Sequence, residues 1–132
     1  MLLWYYMFMA IKKTILVVED DLALQEAIKL KLEKDGINVW TAVTGEEALS
    51  ILKDKKPNLV WLDILLPKIN GLEFLEIIRK DSDLKDLPVV VVSVSGGMEK
   101  VIQARSLGIL DYIVKSEGSL DIIIKRVEAF LK

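Results

Sequence analysis

Four short apolar runs, each closed by polar or charged residues, constrain this chain more than any other feature. Ile15-Leu16-Val17-Val18 ends in Glu19 and Asp20, and Leu59-Val60-Trp61-Leu62 ends in Asp63. Val89-Val90-Val91-Val92 ends in Ser93, and Tyr112-Ile113-Val114 ends in Lys115. Runs that are apolar at every position belong to strands buried on both faces, as in a parallel sheet covered by helices. In such a sheet the carboxyl ends of the strands gather at one edge, and ligands bind there. Glu19, Asp20, Asp63, Ser93 and Lys115 are therefore expected to share one small crevice.

The segments between the runs read as helices. Thr14–Val18 is the first strand. Asp21 caps a helix over Leu22–Lys34 that Gly36 ends. Asn38–Ala42 is the second strand, and Thr44 with Glu47 has capping-box spacing for a helix to about Lys53. Pro57 and Asn58 turn into the strand Leu59–Leu62, and a loop with Pro67 and Gly71 leads to a helix over Leu72–Lys80. Pro88 precedes the strand Val89–Val92. Gly96-Gly97 opens a helix ending at Gly108, Tyr112–Val114 is the fifth strand, and Ser119 starts a last helix to Leu131. Five strands alternating with five helices, joined by right-handed crossovers, make an α/β domain. Trp40 and Trp61 fall in strands and are expected to pack in or near the core.

Composition removes several kinds of chemistry. The 132 residues contain no Cys, hence no disulfide, thiol nucleophile or thiolate metal site, which fits a cytoplasmic setting. They also contain no His, which excludes a Ser-His-Asp nucleophile and a histidine base of the chain's own. With 18 basic and 20 acidic residues the net charge is −2, which leaves no electrostatic footprint for nucleic acid. Residues 1–11 are apolar and aromatic, but a bilayer span takes about 20 such residues. They form an N-terminal extension, either an over-long start or an apolar arm that covers a surface. Residues 12–132 form the domain.

The expected crevice has a definite chemistry. Three neighbouring carboxylates repel one another. Mg²⁺ relieves the repulsion because it favours oxygen ligands and is held by one or two carboxylates, water and substrate phosphate. Lys115 adds a positive charge for a phosphoryl oxygen. Asp63 can act as a nucleophile and form an acyl phosphate, and Ser93 offers a hydroxyl to a phosphoryl oxygen. Positioning and charge stabilisation are what phosphoryl transfer chiefly needs. Simpler readings stand beside these. Ser93 could start a turn, Tyr112 could be sheet packing, and Asp21 is a helix cap.

From Lys13 to Lys132 the chain resembles the receiver domain of two-component response regulators. The resemblance rests on Val17-Val18-Glu19-Asp20-Asp21, Leu62-Asp63-Ile64-Leu65-Leu66-Pro67 with Gly71, Val92-Ser93, and Gly108-Ile109-Leu110-Asp111-Tyr112-Ile113-Val114-Lys115. It implies a flavodoxin-like sheet of order 2-1-3-4-5 and a phosphoacceptor at Asp63. It also implies Mg²⁺ held by Glu19, Asp20, Asp63 and the Leu65 carbonyl. Ser93 and Tyr112 would be switch residues, and Lys115 the lysine that contacts the phosphoryl group. The implied phosphoryl donor is a partner histidine kinase or phosphotransfer protein, and the responding surface is Met98–Leu131. Such a protein catalyses only its own aspartyl phosphorylation and dephosphorylation. No output domain follows Lys132, so a single-domain switch that signals by contact or relay is expected, with homodimerisation left open.

Two residues depart from the family pattern. Ser116 replaces the usual Pro after the lysine, and Val94 replaces a smaller residue, where it could narrow access to Asp63. The alternative is a degenerate receiver that serves as a constitutive interaction module. A flavin carrier on the same fold is disfavoured because Glu19-Asp20-Asp21 would repel an FMN phosphate. A phosphatase with an Asp-x-Asp motif is disfavoured because Leu65 stands two after Asp63.

Overall fold

A computed structural model describes residues 1–5, 12–94 and 97–132. Residues 6–11, which hold most of the N-terminal extension, and the helix-opening Gly96 lie outside the described residues. The five strands are β1 (Thr14–Val18), β2 (Asn38–Ala42), β3 (Leu59–Leu62), β4 (Val89–Ser93) and β5 (Asp111–Val114). The helices between and after them are α1 (Leu22–Lys34), α2 (Gly45–Asp54), α3 (Gly71–Lys80), α4 (Met98–Ser106) and α5 (Leu120–Glu128). A helical turn over residues 2–5, closed by Tyr5 N–H to the Met1 carbonyl at 3.1 Å, makes a sixth helix where the sequence predicted five.

All strands pair in parallel in the order β2-β1-β3-β4-β5. The uninterrupted apolar runs have the predicted cause, since alternate residues feed two separate cores. Leu16, Val18, Val60, Leu62, Val89 and Val91 face one layer, with Ala48 and Leu52 of α2, Phe74 and Ile78 of α3 and Ala104 of α4. Ile15, Val17, Leu59, Trp61, Val90 and Val92 face the other, with Ile28 and Leu32 of α1 and Ile123, Ile124 and Val127 of α5. A one-residue slip of any central strand would exchange its two sets of side chains, so the register is firmly fixed. Trp61 is fully buried, whereas Trp40 on the edge strand is half-buried with the Lys55 amine 4.2 Å from its ring centre.

The capping signals act as the sequence predicts. Asp21 accepts from Leu24 N at 3.1 Å, Thr44 from Glu47 N at 3.0 Å and Ser119 from Ile122 N at 3.3 Å. Asn70 caps Glu73 N at 3.0 Å and starts α3 one residue earlier, at Gly71. Two segments differ more. The fifth strand ends at Val114 as expected, but Lys115, which follows it, opens a 3₁₀ turn over Lys115–Glu117 where the sequence indicated no helical element. The last helix gives way to a 3₁₀ turn over Ala129–Leu131, a common form of helix end.

At the edge of the sheet opposite the carboxyl ends, the Glu128 carboxyl is pushed up to about 7. Burial is the main cause, and a hydrogen bond and like charge from Asp35 add to it, against Lys125 and Lys132. Lys12 and Lys13 line the same recess. A carboxyl whose folded pKa exceeds its unfolded value favours folding while it stays protonated. Its contribution is complete below about pH 4.5 and is lost as pH rises through about 7. Glu128→Gln should therefore gain stability relative to the native chain between pH 5 and pH 8. Urea midpoints that differ by the same amount at both pH values would refute this.

Candidate functional site

The ladder of the sheet carries each functional residue to the carboxyl edge. Glu19 N–H donates to the Ala42 carbonyl at 3.0 Å, and Asp63 N–H donates to the Val18 carbonyl at 3.0 Å. Each acidic residue is thus held by one ladder bond beyond the strand it follows. Register pairing sets Ser93 beside Val114, one residue before Lys115. The five residues predicted to converge do converge.

Asp63 is 4% exposed, and each of its oxygens is engaged. Oδ1 accepts from Leu65 N–H at 3.0 Å and from Ser93 Oγ at 3.1 Å. Oδ2 lies 3.2 Å from the Lys115 amine. Lys115 sits closer to Glu19, with Nζ 2.7 Å from Oε1, while Glu19 Oε2 accepts from Asp21 N–H at 3.1 Å. Asp20 is exposed at the rim. One oxygen each from Glu19, Asp20 and Asp63 lie within 4.8 Å of one another, close enough for a single cation. Leu65 is 43% exposed on the same loop, with its amide committed to Asp63.

The electrostatics follow from burial and crowding. Burial raises the Glu19 pKa, and the nearby Asp63 charge adds to this, in spite of the Lys115 ion pair. Burial works to lower the Lys115 pKa, but Glu19 and Asp63 outweigh it and hold the amine protonated above its ordinary range. Three carboxylates against one amine leave an excess of negative charge in a largely dehydrated place. Oxygen-rich, anionic and free of nitrogen or sulfur ligands, the group suits a hard divalent cation. Tyr112 is buried, and its phenol pKa is raised by burial first and by Asp63 second.

Three further residues shape the site, and of these Gln25 and Lys68 belong to none of the motifs that carry the resemblance. Gln25 is buried on the inner face of α1, and its amide donates to the Glu19 and Ala42 carbonyls, both at 3.0 Å. It ties α1 to the ends of β1 and β2 directly behind Glu19. Its signal was a polar residue at a core-facing position, spaced with Ile28 and Leu32. Gly71 abuts the Asp63 backbone, where an added Cβ would fall 2.5 Å from the Asp63 carbonyl oxygen and 2.6 Å from Ile64 Cα. Lys68, in the same loop, holds φ at 59°, a conformation that L side chains rarely adopt. The two departures from the family pattern are also placed. Val94 is exposed next to Ser93, and the chain through Ser116 is a 3₁₀ turn with no cis peptide bond among the described residues.

A sheet of this order, with an acidic cluster and a lysine over its carboxyl edge, has the architecture of a receiver domain. The chain matches the response regulator receiver domain over residues 15–128 and belongs to that family. It is 38% identical over 104 residues to a probable transcriptional regulator, ycf27, of Cyanophora paradoxa, covering 79% of this chain and 42% of that protein. The chain spans about half the length of the curated relatives it matches. Among solved structures it resembles the phosphorylated cyanobacterial phytochrome response regulator RcpA, at 34% identity and a TM-score of 0.83. That match covers 91% of this chain and 94% of the other. It also resembles the Mn²⁺-bound response regulator Rcp1, at 31% identity and a TM-score of 0.78, covering 89% of this chain and 91% of the other.

The contact at Gly71 gives a direct check on how tightly the site loop is built. Gly71→Ala forces two backbone segments apart and should cost about 1–3 kcal/mol, the range for overpacking. Gly97→Ala has open space around the new methyl group and should be near neutral. Urea unfolding of both variants tests this, and equal midpoints would show that the Asp63 loop gives way easily.

Proposed function

We propose that this receiver domain is a phosphorylation switch in which Asp63 accepts a phosphoryl group from a partner histidine kinase or phosphotransfer protein. The observation that carries the reading is the placement of the buried Asp63 carboxylate between the Lys115 amine and the Ser93 hydroxyl. An Asp63 oxygen attacks phosphorus and forms an acyl phosphate. The bond from phosphorus to the donor's imidazole nitrogen breaks, and that nitrogen keeps the electron pair and takes up a proton. Lys115 offsets charge on one phosphoryl oxygen, and Ser93 can donate its hydroxyl to another. The protein is its own substrate and turns over nothing else.

Mg²⁺ is the proposed cofactor, held by Glu19, Asp20, Asp63 and the Leu65 carbonyl. When bound, it supplies positive charge against the carboxylates and the incoming phosphoryl oxygens. The fit rests on the carboxylate oxygens lying within 4.8 Å of one another, and Rcp1 is a Mn²⁺-bound relative. RcpA, a phosphorylated relative, supports the acceptor chemistry.

The output surface is proposed to be Met98–Leu131, where Met98, Ile102, Leu110, Ile122 and Phe130 are exposed apolar side chains. Tyr112, buried beneath it, is the proposed second switch residue. A net charge of −2 gives the chain no overall positive field to attract DNA, and protein contact is its proposed output. The absence of Cys suits a cytoplasmic protein, and no helix among the described residues is long and apolar enough to cross a membrane.

Intact-protein mass after incubation with acetyl phosphate and Mg²⁺ tests this. The native chain should gain one labile phosphoryl mass that Asp63→Asn does not, and chelation of the metal should abolish the gain. No adduct from either acetyl phosphate or a phosphorylated histidine phosphotransfer protein would favour the constitutive interaction module instead.

A further inference from the structure

Two features of the molecule have no part in the phosphoryl chemistry. The first is the helical turn over residues 2–5. Leu2, Leu3, Trp4 and Tyr5 are each at least 60% exposed, and no charged side chain occurs in the sequence before Lys12. Successive helical residues point about 100° apart, so these four side chains cover every side of the turn. A helix that is apolar all round needs apolar surroundings all round. A groove on a protein, or a second copy of this chain, would cover one side and leave the others wet. Hydrocarbon beneath a headgroup layer would surround the turn, and Trp and Tyr are the aromatic residues that favour that boundary.

The second feature is the recess at the edge of the sheet opposite the acidic cluster. Lys12 and Lys13, just before β1, meet there with Lys125 of α5 and with Lys132. All four lysines are exposed, and among the described residues none of them is in an ion pair. Asp35 and Glu128 share the recess, so lysines outnumber carboxyl groups two to one. The sequence shows only the adjacent pair Lys12-Lys13, and the fold doubles it. Chain length keeps Tyr5 within at most about 25 Å of Lys12, so the apolar turn and the lysines can meet one surface together. Glu19, Asp20 and Asp63 lie at the far edge, where their charge does not oppose such a contact.

We infer that the apolar turn and the four lysines together bind the surface of an anionic lipid bilayer. The turn enters the boundary between headgroups and acyl chains, while the lysines face the anionic headgroups. A short apolar insertion holds a protein weakly by itself, and a basic patch is the second signal that makes the attachment stable. Bound this way, the domain turns its carboxyl edge away from the bilayer and leaves Asp63 open to a phosphoryl donor. Attachment goes beyond the phosphorylation switch and does not depend on it.

The test is sedimentation of the full chain with vesicles of phosphatidylcholine alone and of phosphatidylcholine mixed with phosphatidylserine. The chain should sediment with the mixed vesicles, far less with the neutral ones, and should be released by high salt. Tryptophan emission should shift to the blue on binding, and Trp4→Phe should remove the shift. Leu3→Ser combined with Trp4→Ser should abolish sedimentation. Lys125→Gln combined with Lys132→Gln should weaken binding by about ten- to thirtyfold, as expected for two lysines near an anionic surface. All four positions are exposed, so these variants should keep the fold. The inference is overturned by no sedimentation with mixed vesicles, or by equal sedimentation without vesicles, which would assign the apolar turn to self-association. Equal binding to both kinds of vesicle, or unchanged binding in either double variant, would also overturn it.

Discussion

A single amine offsets three carboxylates at the carboxyl edge of this sheet, and the rest of the domain is arranged around that imbalance. Lys115 follows the last strand, Glu19 and Asp20 the first and Asp63 the third, so no local segment could assemble the cluster. Only the completed sheet brings the charges together, and folding must overcome their repulsion and dehydration. The Lys115 pair with Glu19 at 2.7 Å recovers part of that cost. What remains is an excess of negative charge in which a divalent cation would be stabilised. The same imbalance that burdens the fold thus makes the cluster suited to a hard divalent cation.

Such a cluster holds its geometry only if the backbone beneath it is rigid. Rigidity comes from both directions. The strands contribute ladder bonds from Glu19 to Ala42 and from Asp63 to Val18. The helices contribute Gln25, bridging the ends of β1 and β2, and Gly71, packed against the Asp63 carbonyl with its own amide bonded to Ile64 O at 2.8 Å. Farther from the site, Arg79 fastens the far end of α3. Its guanidinium donates to Leu107 O at 2.6 Å and Leu87 O at 2.9 Å, tying α3 to the C-terminal end of α4 and to the approach to β4.

The division between what could and could not be read in the sequence follows from range. Strands β1, β3 and β4 were legible because two-sided burial leaves an unbroken apolar run, and the polar residue after each run marked the edge. Helix starts were legible because Asp21, Thr44 and Ser119 act within three residues of themselves. Gln25 and Arg79 act on backbone groups 6 to 29 residues away, so their spacing carries no periodic signature, whereas Gly71 was legible only as part of the motif around Asp63. Arg79 in particular looks like an ordinary basic residue in the last turn of a helix, where it also suits the helix dipole. The turn that takes up Lys115 was missed for the related reason that the residue after it, Ser116, has no strong local preference.

The hydrogen bond from Ser93 to Asp63 decides how the site can communicate. Oδ1 of Asp63 is occupied by Ser93 Oγ at 3.1 Å and Oδ2 faces Lys115 at 3.2 Å. A phosphoryl group on either oxygen would therefore disturb one of two contacts, to Ser93 at the end of β4 or to Lys115 in the turn after β5. If Ser93 follows the phosphoryl group, the end of β4 shifts beside β5, where Val91 pairs with the buried Tyr112. If Lys115 follows it, Glu19 loses its partner in a place where burial already disfavours its charge. Either response changes the relative energies of arrangements available to the chain, and only such a difference lets a covalent change select one of them. With both carboxylate oxygens engaged, the proposed modification of Asp63 would disturb its contact with Ser93 or with Lys115.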